Sequence, residues 1–333
     1  MSRLAPYAEQ HKKIAGPGDS RPTAAQIIKD QGLEGKWAGK VVLVTGCSPG
    51  GIGPETARAI HLTGADVYIT GRDLKKTEEA ARDILSDGRP GKVEVIKIDL
   101  GSLESIREGV KDFLSKSNKL NILINNAGVM ACPKYSTKDG FEMQIGTNHI
   151  GHFLLFELLK PTLLASSTPE FNSRVISLSS GGHRLGTVEV DDLNYANRDY
   201  DPWVSYGQSK LANIYFANEL ERRYGSKGLH ALSVHPGVIE TNLSQHIDAT
   251  DIIKSLKPIM KNHQQGAATT VWAAVAKEWE GKGGKYLEDC SEAAPAPTPE
   301  LHSGGYSDIA YNAPVEKALW TKSLELVGLP DDE

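Results

Sequence analysis

The sequence predicts a single α/β domain built on a doubly wound, mostly parallel sheet of the Rossmann type, with helices on both faces. Two observations predict it: short apolar runs rich in β-branched residues alternate with helical patterns, and a glycine-rich stretch follows the first run. Continuous apolar runs of this length are typical of parallel strands buried on both faces. Such sheets bind ligands at the carboxyl ends of their strands, where the strand order reverses.

The elements follow one another at regular intervals along the chain. Strands are predicted at 41–44, 67–69, 93–98, 122–124, 174–178 and 229–234. Helices are predicted at 54–64, 76–85, 103–114, 140–164, 206–224 and near 315–327. The closely spaced prolines at 292–300 exclude a helix interior, so this segment is expected to be an exposed connection.

Composition excludes several classes of function. An apolar fraction of 39% and a charged fraction of 24% are ordinary for a soluble globular protein. A net charge of −5 without a basic cluster argues against a nucleic-acid partner. Three widely spaced cysteines imply neither a disulfide framework nor a zinc site. His149 and His152 have no third ligand nearby in sequence, so no metal is expected. Without a stretch of roughly 20 apolar residues, no integral membrane segment is predicted, and the expected location is cytoplasmic.

The first candidate site is the glycine-rich stretch at 45–53, directly after the first predicted strand and before a helix. A pyrophosphate needs backbone N–H groups at a helix N-terminus and a loop without obstructing side chains. Glycines give that access. A glycine-rich turn without such a function is the alternative, but the position after the first strand favours phosphate binding.

The second candidate site is Thr70-Gly71-Arg72 at the end of the second strand. An acidic residue here would accept hydrogen bonds from an adenosine ribose, whereas Arg72 offers a guanidinium suited to a 2′-phosphate. NADP is therefore predicted over NAD as the cofactor. A solvated surface arginine is the alternative interpretation of Arg72.

The third candidate site is the pair Tyr206 and Lys210, which a helix would place on one face, one turn apart. A free phenol has a pKa near 10, too high for a base at neutral pH. A neighbouring ammonium stabilises the phenolate and lowers that pKa. The pair alone is weak evidence, because this spacing is common on surface helices.

The three features together, in this order, resemble the short-chain dehydrogenase/reductase family from about residue 39 to about residue 286. Further marks of the family stand in the expected order: Asp99-Leu100, Asn125-Asn126-Ala127-Gly128, Asn148, Ser179-Ser180 and Pro236-Gly237. The stretches 180–186, 209–213 and 233–237 resemble the branch of retinol dehydrogenases and WW-domain oxidoreductases, and 21–39 resembles its fungal members.

The resemblance implies catalytic roles for four residues. Tyr206 would be the general acid/base, and Lys210 would lower its pKa and hold the nicotinamide ribose. Ser180, preferred to Ser179 as the second serine of its pair, would hydrogen-bond the substrate oxygen. Asn148 would hold a water that links Lys210 to solvent. Hydroxyl donors of this kind stabilise a carbonyl oxygen that develops negative charge.

The resemblance also implies cofactor contacts. Asp99 would contact the adenine, Asn126 the adenosine ribose, and Val238 and Thr241 the nicotinamide carboxamide. Relatives usually have three residues before the Gly-x-Gly pair of the first loop, whereas four stand here, from Cys47 to Gly50. The insertion leaves open which loop glycine meets the phosphate, and the assignments kept are Gly46, Ile52 and Gly53.

The predicted function is an NADP-dependent ketoreductase that interconverts a carbonyl and an alcohol on a small lipophilic or secondary-metabolite-like substrate. A non-catalytic NADP-binding sensor of the same fold is the alternative. Residues 1–36 are expected to form an N-terminal arm, 37–290 the catalytic domain, and 291–333 a C-terminal extension. Within the domain, apolar residues at 243–261 predict a substrate lid, with core packing as the alternative.

Two further expectations concern surfaces. The helices at 140–164 and 206–224 form the dimer surface in many relatives, so a homodimer is expected. Tyr200, Pro202 and Trp203 precede the catalytic pair and either line the substrate pocket or pack the insert against the sheet.

Overall fold

A computed structural model describes residues 3–245, 256–298, 300–301 and 303–331 of the chain. Its strands are β1 (Val41–Val44), β2 (Asp66–Gly71), β3 (Val93–Lys97), β4 (Ile122–Asn125), β5 (Ser173–Leu178), β6 (Leu229–His235), β7 (Lys285–Glu288) and β8 (Ser291–Glu292). They form one sheet in the order β3-β2-β1-β4-β5-β6-β7-β8, parallel except for the last pair. The predicted single-domain, mostly parallel α/β fold is confirmed.

The α-helices cover both faces of the sheet. They are α1 (Ala24–Asp30), α2 (Ile52–His61), α3 (Leu74–Leu85), α4 (Leu103–Lys116), α5 (Met143–Ile145), α6 (Gly151–Ser166), α7 (Pro202–Tyr224), α8 (His263–Gly266), α9 (Ala268–Val275) and α10 (Ala313–Val327). Two apolar cores result, one on each face of the sheet. In the described part of the chain, no helix has the length and apolarity needed to cross a membrane.

The strand order reverses between β1 and β4, which pair side by side although two strands separate them in sequence. The chain builds outward from β1 through β2 to β3, then returns to the other side of β1. The loops after β1 and β4 therefore diverge at the same edge of the sheet. A cleft opens there, at the position where doubly wound sheets bind ligands.

The predicted helix at 140–164 is wrong at its start. Gly140 lies in the left-handed region at φ 85°, and the first helical residue is Met143. The Glu142 carboxylate caps the new start by accepting from the N–H groups of Gln144 and Ile145. A π-helical turn from Gly146 to Ile150 then joins α5 to α6.

The sheet extends beyond its predicted edge. β7 pairs with β6, and β8 folds back against β7, so Glu292 belongs to a strand and Ala293 is buried. The expectation of an exposed connection is thus wrong at the start of 292–300. It fails because the prolines begin only at Pro295, which itself bridges to Tyr306. Residues 292–298 and 300 are described, and none of them lies in a helix, as the prolines predict.

Both ends of the chain pack against the sheet's helices. Tyr7, Ile27 and Ile28 from the first 36 residues join the same core as α9. At the other end, α10 packs on α7 and α6, and the Trp320 ring stacks on Phe216 at a centroid distance of 5.9 Å. Helix α10 therefore covers much of the face on which a homodimer was expected.

Candidate active site

The cleft at the β1/β4 reversal has a volume of about 1290 Å³ and is lined by the loops after each of the six strands β1 to β6, together with residues of α7. Of the residues assigned from the sequence, it brings together ten, from the loops after β1 to β6, the start of α2 and helix α7: Gly46, Ile52, Arg72, Asp99, Asn126, Ser180, Tyr206, Lys210, Val238 and Thr241. Gly53 and Asn148 lie behind this wall. Residues 160 positions apart in sequence thus share one cavity because parallel strands end at the same edge.

The loop after β1 forms a narrow floor for the cleft. Gly46 has φ 73°, and a Cβ on it would stand 2.7 Å from the Cα of Ala127. Gly51 is the N-cap of α2 and supplies no side-chain cap. A Cβ on Gly53 would lie 2.5 Å from the carbonyl oxygen of Gly46. Gly51 hence leaves the N-terminus of α2 open, Gly46 lets the loop after β4 approach closely, and Gly53 allows the helix to pack closely beneath the loop.

The loop after β4 is bound to the loop after β1. The Asn126 amide donates to the Thr45 carbonyl at 2.7 Å, while its Oδ1 is buried with no partner among the described residues. Asp99 also lines the cleft, and its Oδ1 accepts from the Gly101 N–H at 3.0 Å. Thr241 caps a short 3₁₀ turn by accepting from the Leu243 N–H.

Two cations stand at the end of β2. Arg72 and Lys76 both line the cleft, are exposed, and form no ion pair with any residue that the structure describes. Gly71 beside them is required by packing, because a Cβ there would overlap Thr77 Oγ1 at 2.2 Å. Lys76 was not predicted from the sequence, where it resembles any solvated lysine of an amphipathic helix. Asp73 and Glu79 share this wall, so the charge there is mixed.

Ser180 and Tyr206 meet at the centre of the cleft. A Cβ on Gly182 would lie 2.8 Å from the Tyr206 ring and 3.3 Å from Ser180 Oγ, so both side chains converge on one backbone point. Ser180 Oγ accepts from the Gly182 N–H at 3.0 Å, which leaves its own proton free to donate. Ser179 instead donates to the Lys210 carbonyl at 2.7 Å. The Ser179 hydroxyl is therefore bonded to the backbone of α7.

Lys210 lies one turn after Tyr206 on α7. Its Nζ donates to the Leu178 carbonyl at 3.1 Å and stands 5.7 Å from the centre of the Tyr206 ring. A Cβ on Gly128 would lie 3.3 Å from Lys210 Nζ and 3.2 Å from Asn148 Oδ1, so these two groups are neighbours. The Asn148 amide is bonded to Val129 through both of its polar atoms. Asn148 thus ties the β4 loop to the π-helical turn, and the water expected beside it stays a prediction.

Burial dominates the electrostatics of the pair. It raises the pKa of Tyr206 to about 12, and a hydrogen bond with Ser180 opposes the rise. Burial also lowers the pKa of Lys210 to about 8, because it penalises the ammonium. At neutral pH the phenol is protonated and Lys210 carries most of its charge. The site is therefore prepared to donate a proton, whereas a lower pKa of Tyr206 had been expected.

The far end of the cleft is largely apolar. Trp203 lines it, with its ring 6.4 Å from that of Tyr206 in an edge-on arrangement. Tyr200 instead donates to the Cys132 carbonyl, and Pro202 begins α7. The other apolar side chains of this end are Met130, Leu185, Leu243, Leu256, Met260 and Leu301.

The expected lid at 243–261 is described only in part. Residues 246–255 lie outside the described residues, and with them Ile247, Ile252 and Ile253. On either side of them, Leu243, Leu256 and Met260 line the cleft.

Other reactive side chains have structural partners. His149 Nε2 lies 2.8 Å from Ser323 Oγ, and His152 Nε2 lies 2.8 Å from Thr45 Oγ1. Burial lowers the pKa of His149 to about 3 and that of His152 to about 4, so both stay neutral. Burial raises the pKa of the Cys47 thiol far above its usual value. None of the three side chains lines the cleft.

Comparison with known proteins agrees with this geometry. The short chain dehydrogenase family model matches residues 40–252. The chain is a short-chain dehydrogenase/reductase. Among curated relatives, it is similar to the short-chain dehydrogenase/reductase prx1 of Penicillium roqueforti, at 48% identity over 98% of this chain and 96% of the relative. Human retinol dehydrogenase 13 is 40% identical, with 92% of each chain covered.

A solved structure shows the same fold. A crystal structure of an uncharacterized protein from Mycobacterium paratuberculosis superposes with a TM-score of 0.69. The two chains are 35% identical, and the match covers 93% of this chain and 98% of the other. The short-chain dehydrogenase/reductases bind nicotinamide cofactors, which the glycine floor, the N-terminus of α2 and the unpaired Asn126 Oδ1 suit.

Proposed function

We propose that this short-chain dehydrogenase/reductase is an NADP-dependent ketoreductase that converts a lipophilic carbonyl compound to its alcohol. The observation that carries the proposal is the convergence of Ser180, Tyr206 and Lys210 on one cleft whose floor is the glycine loop of β1. A proton donor, a second hydroxyl and a buried ammonium at one point are what carbonyl reduction requires of a protein.

The chain's own groups would act on the carbonyl oxygen. When bound, NADPH supplies the hydride that the carbonyl carbon accepts. Tyr206 donates its phenolic proton to the oxygen, and Ser180 donates a hydrogen bond to the same atom. Lys210 stabilises the phenolate that remains on Tyr206, because its ammonium stands near the ring. Since the pKa of Tyr206 is raised to about 12, the phenol is protonated at neutral pH and can act as the proton donor that carbonyl reduction needs.

The choice of NADP rests on Arg72 and Lys76. Both line the cleft at the end of β2, where a dinucleotide-binding sheet places the adenosine ribose. A guanidinium and an ammonium together suit a 2′-phosphate and gain little from a ribose hydroxyl. Gly46, Gly51 and Ile52 would hold the pyrophosphate, with Asp99 and Asn126 along the adenosine, and Val238 and Thr241 at the nicotinamide.

The lipophilic substrate rests on the apolar end of the cleft. The described side chains there include Trp203, Leu185 and Met260, and Trp203 faces the Tyr206 ring edge-on. An apolar wall around a few polar groups is typical of sites for bulky, neutral small molecules. The cytoplasm stays the predicted location.

The Tyr206→Phe variant tests the proposal. Turnover of NADPH with a panel of lipophilic ketones and aldehydes should fall by about three orders of magnitude, within the range of general acid catalysis, while the Kd for NADPH stays unchanged. Tyr215→Phe is the matched control on the same helix, because its hydroxyl donates to the Ile309 carbonyl outside the cleft. Turnover that survives Tyr206→Phe would refute the assigned acid. Tight NADPH binding without oxidation of NADPH by any compound would favour the sensor.

A further inference from the structure

The buried side chain of Arg21, in the N-terminal arm, bonds to backbone at the wall of the cleft. Arg21 is 4% exposed, and its guanidinium is surrounded by acceptors. Nη1 donates to the Ile259 carbonyl at 2.8 Å, and Nη2 donates to the Met260 carbonyl. Nε donates to Asp19 at 2.8 Å, which balances the charge. More than 230 residues of chain separate Arg21 from these two carbonyls.

The segment that Arg21 holds is part of the cleft wall. Leu256 and Met260 line the cavity, and the Lys261 N–H donates to the Val238 carbonyl at 2.8 Å. Lys261 Nζ also bonds Asp289 at 2.7 Å. The segment from Leu256 to Lys261 is therefore fastened to the loop after β6 on one side and to the arm on the other.

A second contact joins the arm to the same region. Gln265 Oε1 accepts from the Gly18 N–H at 2.9 Å, and its Nε2 donates to the carbonyls of Asp19 and Arg21. Gln265 lies in α8, which directly follows residues 256–261 and is capped by Asn262. Residues 16–21 of the arm are thus bonded both to residues 256–261 of the cleft wall and to α8, and the three segments pack as one unit.

We infer that Arg21 is a positioning residue for the substrate end of the cleft. It holds the carbonyls of Ile259 and Met260, and the N–H groups of these two residues bond the Leu256 carbonyl in the same turn. The inference rests on the proposed function. Replacing the guanidinium leaves the buried Met260 carbonyl and the partly buried Ile259 carbonyl without this donor, and a buried acceptor without a donor is destabilising. The wall then loses its defined position, so a bulky substrate binds more weakly. NADPH is held mainly by the loops after β1 to β4, so its binding changes little, although the Val238 carbonyl also bonds the Lys261 N–H.

Steady-state kinetics of Arg21→Gln test the inference. We expect the KM for a lipophilic ketone to rise about tenfold, since about 1.4 kcal/mol corresponds to a factor of ten. The kcat and the Kd for NADPH should stay within about twofold of the parent. Arg174→Lys is the matched control: Arg174 is also buried and also donates to two carbonyls, of Ala274 and Ala276, at the opposite end of β5. It should lower stability and leave KM unchanged.

Two further measurements separate positioning from a general loss of stability. Amide hydrogen exchange of the peptide covering 256–262 should be faster in Arg21→Gln and not in Arg174→Lys. In a Leu256→Ala, Met260→Ala background, adding Arg21→Gln should change KM no further, because residues that act as a unit are not additive.

Unchanged exchange at 256–262 in Arg21→Gln would overturn the inference, as would an unchanged KM or a fully additive triple variant. If the parent chain turns over no compound, the proposed function fails on its own. The exchange measurement then still decides whether Arg21 holds the wall.

Discussion

Gly46→Ala should damage both the fold and the cofactor site, for two separable reasons. Gly46 has φ 73°, a conformation that costs an L-residue about 1–2 kcal/mol. The added Cβ would also stand 2.7 Å from the Ala127 Cα and 2.8 Å from its Cβ. Such overpacking costs about 1–3 kcal/mol when backbone must move. The expected loss in the free energy of unfolding is therefore about 2–5 kcal/mol.

Gly39→Ala isolates the first of these costs. Gly39 has a similar φ of 81°, but a Cβ there meets nothing within 4 Å. Urea unfolding of both variants should show the larger loss in Gly46→Ala, and the difference measures the overlap with Ala127. The overlap pushes apart the loops after β1 and β4, so the Kd for NADPH should rise in Gly46→Ala and stay constant in Gly39→Ala.

The reasoning is refuted if Gly46→Ala is no less stable than Gly39→Ala. In that case the Ala127 loop moves away at no cost, and Gly46 is needed only for its left-handed conformation. Equal NADPH affinity in the two variants would refute the second step, that contact between these loops shapes the phosphate floor.

Two further predictions concern charge in the cleft. Arg72→Gln and Lys76→Gln should each weaken NADPH binding about tenfold while NADH binding changes little, because a charged hydrogen bond contributes about 1.5–3 kcal/mol; fluorescence titration measures both. Lys75→Gln is the control, because Lys75 is exposed beside Lys76 but does not line the cleft. Equal losses of affinity for NADPH and NADH in the Arg72 and Lys76 variants would contradict the 2′-phosphate assignment. The rate of reduction should fall as pH rises through about 8, where Lys210 loses its proton while Tyr206 keeps its own up to about 12. A kcat that is flat from neutral pH to well above that value would contradict the role of Lys210.

The parallel strands were predictable because their signal is local. Each predicted strand is present within two residues of its expected ends, since an apolar run of this length has few alternatives inside an α/β domain. β7 was missed because Lys285 and Glu288 flank only two apolar residues, Tyr286 and Leu287. A strand that short is recognisable only from its partner β6.

The residues missed in the site are those whose role comes from distant neighbours. Gly182 matters because the Tyr206 ring lies against it, and Gly128 because Lys210 and Asn148 do. Arg21 binds carbonyl oxygens, which every residue carries, so no side-chain pattern identifies its partners. The sequence predicts where the strands end, whereas only the fold shows which backbone groups lie close to those ends.

Helix α10 carries a last prediction, about stability. Trp320 is buried with its ring 5.0 Å from Phe153 and stacked on Phe216, and the Arg223 guanidinium lies 5.0 Å from its centre. Trp320→Ala should lower the free energy of unfolding by about 3–5 kcal/mol, the usual cost of removing a buried aromatic ring. Urea unfolding measures it, with Leu85→Ala at an exposed side chain at the end of α3 as the control. A loss below that of the control would mean that α10 is only loosely attached.

The same helix bears on assembly. Leu319, Trp320 and Leu324 are buried by contacts within the chain, on the face of α6 and α7 where a homodimer was expected. A second copy that packs on the part of that face covered by α10 would have to displace this helix, which would expose these side chains again. We therefore expect sedimentation at micromolar concentration to show a monomer for the full chain, and self-association to appear once α10 is weakened by Trp320→Ala. A dimer of the full chain that Trp320→Ala leaves intact would show that the subunits meet on another surface.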